Sequence, residues 1–492
     1  FGSRLSMWPF ESRNDQHWER QGRDRQMSGY SWNGHGRERS RAWAREDRDR
    51  SRSQRWQGLS RSAAEGVQAR DARSGVSRRD TDGHHDRQYE PPRYEPPCHD
   101  SLGEGSPAGR RHDRSDSRSS EYTSDSRSEQ EPGKDEIVHF SWHKGMVLHS
   151  RYEMVRLLGD GTFGRVLLAQ DRREDRQVAI KVIRDIKRYM ESARIEADIL
   201  KDICRADPQG ASRCAVMYDT FVHDQRHLCL VFEPLGVSLY DHLKRNSFRG
   251  FWMMEVQSFA RQCLKCVKFL HDRLQMTHTD LKPENILLQS MEPARPSFFP
   301  REKEWLERHK SSRNKSTYVR PASSQIKIID FGNATYDDEH HSSIINTRQY
   351  RGPEVVLELG WNERSDIWSL GCIIMELYTG ELLFGTHENL EHLALMERIL
   401  GPMPVHLLSS AKPAVKEKYL TPGPWRLNWP ERVSSAASEK HVRGQRRLSE
   451  LVAKDHAPLV SLVSTLLTLD PMRRPSAAES LRHEFFSTSF ED

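Results

Sequence analysis

No apolar run in the 492-residue chain approaches the roughly 18 residues that cross a bilayer, and no basic stretch followed by an apolar one opens it. A soluble protein that is not secreted and has no membrane partner is expected. Cysteine is scarce as well. Seven residues, an odd number scattered through apolar segments, exclude a disulfide frame and fit reduced thiols in a nucleocytoplasmic setting. Cys263 and Cys266 form a CxxC in "ARQCLKCVKFL", but that segment reads as a helix with no second ligand pair nearby, so no metal site is expected there. Charge of one sign is also lacking. The formal net charge of +5 is small for this length and gives no reason to expect DNA binding. No internal repeat is present, which excludes a solenoid. The chain opens on Phe rather than Met, which leaves open where its natural start lies.

What is missing differs along the chain. Residues 1–135 are poor in aliphatic side chains and dense in Arg, Ser, Asp and Glu, and Lys134 is their only lysine. Such a segment cannot bury enough apolar surface to offset the entropy of ordering, so it is read as a disordered Arg/Ser-rich tail. A short lead-in, 136–151, precedes a folded region read as 152–486. There, apolar residues recur at strand and helix spacing over enough chain for a core in two lobes. "RYEMVRLLGDGTFGRVLLAQD", "QVAIKVIRD" and "HLCLVFEPL" read as strands and "YMESARIEADILKDI" as an amphipathic helix, giving a β-rich lobe over about 152–235. Residues of about 236–486 read as a helix-rich lobe. Between them the class is α+β. The stretch 289–324, containing "REKEWLERHKSSRNKSTYVR", is too long for an ordinary connection and is expected to be a local hairpin or a mobile loop.

The chemistry sits in a series of short motifs. Phosphoryl transfer asks a protein to hold, neutralise and align a donor rather than to supply covalent chemistry. Gly159, Gly161 and Gly164 in "GDGTFGRV" allow a hairpin to close over phosphates, and Val166 would pack on adenine. A GxGxxG alone is weak, since most such turns bind nothing. In "VAIK", Ala179 would floor a purine pocket and Lys181 would reach the α- and β-phosphates if Glu196, fifteen residues on in "ARIEADIL", fixed it. In "HTDLKPENILL", Asp280 would orient the substrate hydroxyl and accept its proton. Lys282 would neutralise the γ-phosphate, and Asn285, five residues after Asp280, would ligate Mg²⁺ together with Asp330 of "DFG". Any one of these pairs could be a solvated surface pair; their order along one chain is what makes the case.

These motifs resemble those of the eukaryotic protein kinases over about 152–486, which implies a bilobal kinase fold using ATP and Mg²⁺. The segment "DFGNATYDDEHHSSIINTRQYRGPEVVLELGW" and "THENLEHLALMERILGP" narrow the likeness to the Cdc2-like, or LAMMER, kinases of the CMGC group. The signature helix departs from EHLAMMERILG at Leu395, a volume-conserving swap, and its Leu393, Met396, Ile399 and Leu400 read as core-facing. The resemblance implies further nucleotide contacts at Leu158, Asp160, Thr162, Phe163 and Leu287, a gatekeeper at Phe232, and adenine bonds from the Glu233 carbonyl and the Leu235 N–H. It also implies that Glu354 pairs with Arg474 and that Asp366 braces the catalytic loop, all three as structural groups. Thr279 stands where many kinases have Arg, so the usual clamp for an activation-loop phosphate is absent. Gly352, in place of Pro or Ala, is expected to loosen the substrate-side floor. Ser342, Ser343, Thr347 and Tyr350 are candidate phosphorylation sites, and Glu284 is a candidate contact for substrate arginine.

LAMMER kinases carry Arg/Ser-rich tails and phosphorylate Arg/Ser-rich splicing factors, which implies such proteins as partners and the nucleus as location, with the cytoplasm as a second site. A monomer is expected. Trp18, Trp32, Trp43 and Trp56, interleaved with Arg, also suit weak RNA contact by the tail, although a solvated polyampholyte fits the same composition. Three competing readings remain: a dual-specificity kinase of another CMGC branch, a pseudokinase scaffold, and an RNA-associated adaptor acting through the tail.

Overall fold

The computed structural model describes residues 139–309 and 316–490. The tail, with Trp18, Trp32, Trp43 and Trp56, lies outside the described residues. The smaller lobe is a six-stranded antiparallel sheet. Its strands are β1 (Val147–Leu148), β2 (Tyr152–Asp160), β3 (Gly164–Asp171), β4 (Arg176–Ile183), β5 (Met217–His223) and β6 (His227–Phe232), in the order β1-β2-β3-β4-β6-β5. Period-two alternation decides what each strand offers. On β4, Val178, Ile180 and Val182 enter an outer core with Leu167, Ala169, Cys229 and Val231, so Ala179 and Lys181 face the other side. The register sets Lys181 opposite Val166 and Ala179 opposite Phe232. Four residues assigned to the nucleotide site thus share one face.

That outer core also contains Phe140, with Trp142 and Met146 packed against it, and β1 pairs with β2. From residue 139 on, the segment read as a lead-in is therefore part of the small lobe. Helix α1 (Lys187–Ala206) buries Ala193, Glu196, Ala197, Ile199, Leu200 and Ile203, a stripe at helical spacing that carries one carboxylate into the interior.

The larger lobe is built around α2 (Leu239–Arg245), α3 (Met253–Phe269), α4 (Glu302–Arg308), α5 (Pro353–Val356), α6 (Arg364–Thr379) and α7 (Asn389–Leu400), with further short helices behind them. Nearly every residue of α6 is buried, and Trp368 stacks on Phe384 at 5.8 Å. Leu393, Leu395, Met396 and Ile399 are buried on α7, so the signature helix is a packing element. Cys263 and Cys266 are buried on α3, where burial pushes the Cys263 thiol up to about 12. Cys266 lies 3.4 Å from the sulfur of Cys214, not in a ligand cluster.

The stretch between 289 and 324 is a hairpin: Arg295–Pro296 pairs with Val319–Arg320, and α4 lies between them. Phe299, Trp305 and Tyr318 form its own small core. Arg249 ties it down by bonds to Glu302 and to the Ser316 carbonyl, the latter at 2.6 Å.

Candidate active site

The site lies where the exposed face of the small sheet meets three loops of the large lobe. Gly164 is required by close approach, because a Cβ there would lie 2.1 Å from the Val182 carbonyl oxygen. Gly161 and Gly164 exchange backbone hydrogen bonds at 3.0 and 3.3 Å and close the turn, leaving Thr162 and Phe163 exposed at its tip. Leu158, Val166, Phe232 and Leu287 are half-buried, while Ala179 and Leu235 are buried. The Glu233 side chain turns away from the cleft: its carboxylate accepts from the Val216 N–H and pairs with Lys327 at 3.1 Å.

Lys181 Nζ donates to both Glu196 oxygens, at 2.7 and 3.0 Å, and lies 3.8 Å from Asp330. Burial works against its charge, but these two carboxylates hold its pKa above the usual lysine value. Helix α1 is also fixed from outside the cleft, since the Tyr336 hydroxyl donates to Asp202 at 2.5 Å. Phe331 of the DFG is fully buried and lies 5.2 Å from the His278 ring.

Asp280 is held at both oxygens. Oδ2 accepts from Lys282 at 2.7 Å, and Oδ1 accepts from the Thr347 hydroxyl at 2.7 Å and its N–H at 3.2 Å. Asn285 donates Nδ2 to the Asp280 carbonyl at 3.0 Å, which leaves its Oδ1 as the free donor oxygen, and the Ile329 N–H donates to the Asn285 carbonyl. The catalytic loop and the DFG strand are thereby side by side.

The loop's geometry is strained and over-determined. Thr279 has φ +67°, which costs a β-branched residue roughly 1–3 kcal/mol. Its N–H donates to Asp366, its hydroxyl to the Asn333 carbonyl, and its own carbonyl accepts two bonds from Asn346. Asp366 is fully buried and also accepts from the His278 N–H at 2.8 Å, with His271 at 3.0 Å. Below it, Arg474 forks onto both oxygens of Glu354 at 2.7 and 3.0 Å. Gly352 serves this pair: a Cβ there would lie 2.6 Å from each Glu354 oxygen, so the glycine makes room for the buried carboxylate rather than loosening the floor.

The four candidate phosphorylation sites separate. Ser342 and Ser343 are exposed. Thr347 is committed to Asp280, and Tyr350 is buried with its hydroxyl donating to Glu376 at 2.7 Å, so neither is offered to another kinase in this conformation. Reading Thr347 from its position in the segment missed its role as a partner of Asp280, because that contact joins residues 67 apart. Burial, with the charges of Glu376 and Glu284, pushes the Tyr350 phenol far up. Burial likewise raises Glu376 to about 7, with the Glu284 charge adding to it. Glu284 itself is exposed at the cleft rim, and its carboxyl is raised by partial desolvation with contributions from Asp280 and Asp241.

A sheet with a closed glycine-rich turn, an ion pair joining that sheet to a helix, and an aspartate held beside a lysine and an asparagine are the arrangement of a protein kinase. The protein kinase domain model matches residues 152–486, and the chain belongs to that family; its domain uses ATP. The chain is 45% identical over 348 residues to serine/threonine-protein kinase AFC3 of Arabidopsis thaliana, covering 70% of this chain and 83% of that one. It is 43% identical over 352 residues to dual specificity protein kinase CLK2 of Mus musculus, covering 71% and 66%. The crystal structure of the PF14_0431 kinase domain superposes with a TM-score of 0.65 at 43% identity, covering 72% of this chain and all of that one. Within the protein kinases, this chain is one of the LAMMER, or Cdc2-like, enzymes.

Proposed function

We propose that this enzyme transfers the γ-phosphoryl group of ATP to Ser and Thr hydroxyls in Arg/Ser-rich nuclear proteins of the splicing-factor type. The observation that carries this reading is the pairing of Asp280, Lys282 and Thr347 with an exposed acid, Glu284, on the same loop. Asp280 orients the incoming hydroxyl and takes its proton, while Lys282 moves to the charge that develops on the transferred group. Lys181, fixed by Glu196, holds the α- and β-phosphates. The Glu233 carbonyl and Leu235 N–H receive the adenine edge, with Phe232 behind it.

The donor set fits Mg²⁺. Asp330 and Asn285 offer hard oxygens, and among the described residues no group of three or more His, Cys, Asp or Glu side chains could hold a metal by itself. That matches an ion bound by one or two protein oxygens together with substrate phosphates. When bound, it would neutralise phosphate charge.

Glu284 supports arginine as the flanking residue, because the carboxylates of Asp280 and Asp241 also act on it and Asp241 is exposed. A guanidinium entering there would meet several acceptors. Tyr autophosphorylation is part of the proposal on the strength of the relative named as dual specificity. The tail at 1–135 would serve as autophosphorylation target, substrate contact or nuclear address.

The test is Mg²⁺-dependent transfer from ATP to two matched peptides, one Arg/Ser-repetitive and one with Lys replacing Arg, by the full chain and by Glu284→Gln. Preference for the Arg peptide that shrinks in the variant supports the reading. Equal use of both peptides by the unaltered protein would point to another CMGC specificity, and transfer to neither would favour a scaffold.

A further inference from the structure

We propose that His139 is a positioning residue for the nucleotide: with Phe140 it braces the glycine-rich turn from outside the catalytic domain's matched boundary. This rests on the reading above that the turn closes over the phosphates of ATP.

The turn is held at its root by side chains that lie far apart in sequence. Asp160, the residue between Gly159 and Gly161, has Oδ1 2.9 Å from His139 Nδ1, and its Oδ2 accepts from Arg165 at 3.1 Å. Arg184, just past β4, is buried. Its Nη2 lies 3.1 Å from His139 Nε2 and donates to the Gly161 carbonyl at 3.1 Å, and its backbone N–H donates to the Phe163 carbonyl at 3.0 Å. Arg165 closes the ring by donating Nη1 to the Phe140 carbonyl at 2.9 Å. Residues 160, 161 and 163 are therefore all tied to His139 or to its partner Arg184.

Arg184 Nη2 also lies 3.5 Å from His139 Nδ1, so the guanidinium rests against the imidazole and meets both of its nitrogens while Asp160 meets the ring at Nδ1.

Phe140 supplies the anchor. It is 8% exposed in the outer core, with its ring edge-on to His227 at 5.0 Å and to His223 at 5.7 Å. Burying the phenylalanine places the neighbouring histidine over the turn. The brace leaves Thr162 and Phe163 exposed at the tip, so it fixes where the turn starts and not how far it closes. Its effect should fall on ATP binding rather than on the transfer step, which Asp280 and Lys282 govern from the other lobe.

The experiment measures kcat, KM for ATP and KM for an Arg/Ser peptide on the full chain as wild type, His139→Ala, Asp160→Ala and the double variant. Loss of the imidazole bridge should raise KM for ATP about three- to tenfold, the worth of one or two hydrogen bonds. For His139→Ala we expect kcat and peptide KM to stay within about twofold, and the double variant to bind ATP no worse than the weaker single one. A KM for ATP equal to wild type in His139→Ala overturns the proposal. So does a fall in apparent kcat with both KM values unchanged, which would mark general destabilisation, or strictly additive losses in the double variant. Wild-type protein that transfers no phosphate would instead overturn the function proposed above, a result distinct from active wild type with an unaltered variant.

Discussion

The cleft and the floor beneath it hold charge in opposite ways. In the floor, Arg474 and Glu354 are 0% and 1% exposed, and the guanidinium's remaining bonds go to the Arg364 and Thr468 carbonyls. In the cleft, Lys181, Asp280, Lys282 and Asp330 keep between 14% and 32% of their side-chain surface; Lys181 pairs with Glu196 and faces Asp330, and Asp280 pairs with Lys282 and Thr347. Charges of the first kind have every nitrogen and oxygen bonded within the protein and can only be lost at the expense of folding. Charges of the second kind can exchange partners when phosphates arrive. Both kinds are ion pairs, so pairing alone does not distinguish structure from chemistry; exposure and spare bonding capacity do.

This contrast can be broken at either end. Lys181→Met should lower transfer by about 10²-fold or more, the scale expected when a preorganised donor to a charged group is removed. Steady-state turnover checks it, and an active variant would move Lys181 out of the cleft class. Arg474→Ala should leave the Glu354 carboxylate buried without a partner and cost about 3–5 kcal/mol in a denaturant unfolding curve. A cost near zero would mean that the floor is not built on this pair.

The smallest effect probes a group that belongs to neither class. Glu376 is buried like the floor, yet its pKa is raised from 4.5 to about 7. The folded state therefore binds a proton that the unfolded state has released, so stability contributed by this group is full below about 4.5 and is lost as pH rises through about 7. Glu376→Gln, which keeps an acceptor for the Tyr350 hydroxyl, should flatten that fall. Thermal unfolding of both proteins across this range should show midpoints that differ by only a few degrees and converge toward low pH. Parallel curves would contradict it.

How much of this could be read from the sequence depended on the distance between partners. The glycine-rich turn, "VAIK" and "HTDLKPEN" carry their chemistry in local spacing, and strand alternation alone puts Ala179 and Lys181 on one face. The Glu354–Arg474 pair spans 120 residues and was expected only through family resemblance. Contacts with neither local spacing nor a motif stayed hidden. Thr347 reads as a phosphorylation site until its hydroxyl is seen on Asp280, and Tyr350 reads as accessible until its burial on α6 is seen. The segment at 136–151 reads as a lead-in because one buried phenylalanine and a two-residue strand give no periodicity. Gly352 reads as a loosened floor, since only the structure shows the carboxylate that fills the space.

The most direct test of the account follows radiolabelled phosphate from ATP to an Arg/Ser peptide for the full chain and for Asp280→Asn, with calorimetric nucleotide binding and thermal unfolding of each. Asp280 accepts the proton of the attacking hydroxyl in this account, so the variant should lose about 10²- to 10⁴-fold in turnover while nucleotide affinity and unfolding midpoint stay close to those of the unaltered protein. Turnover within a few-fold of wild type would contradict it, as the bonds from Lys282 and Thr347 would then be holding a structural carboxylate.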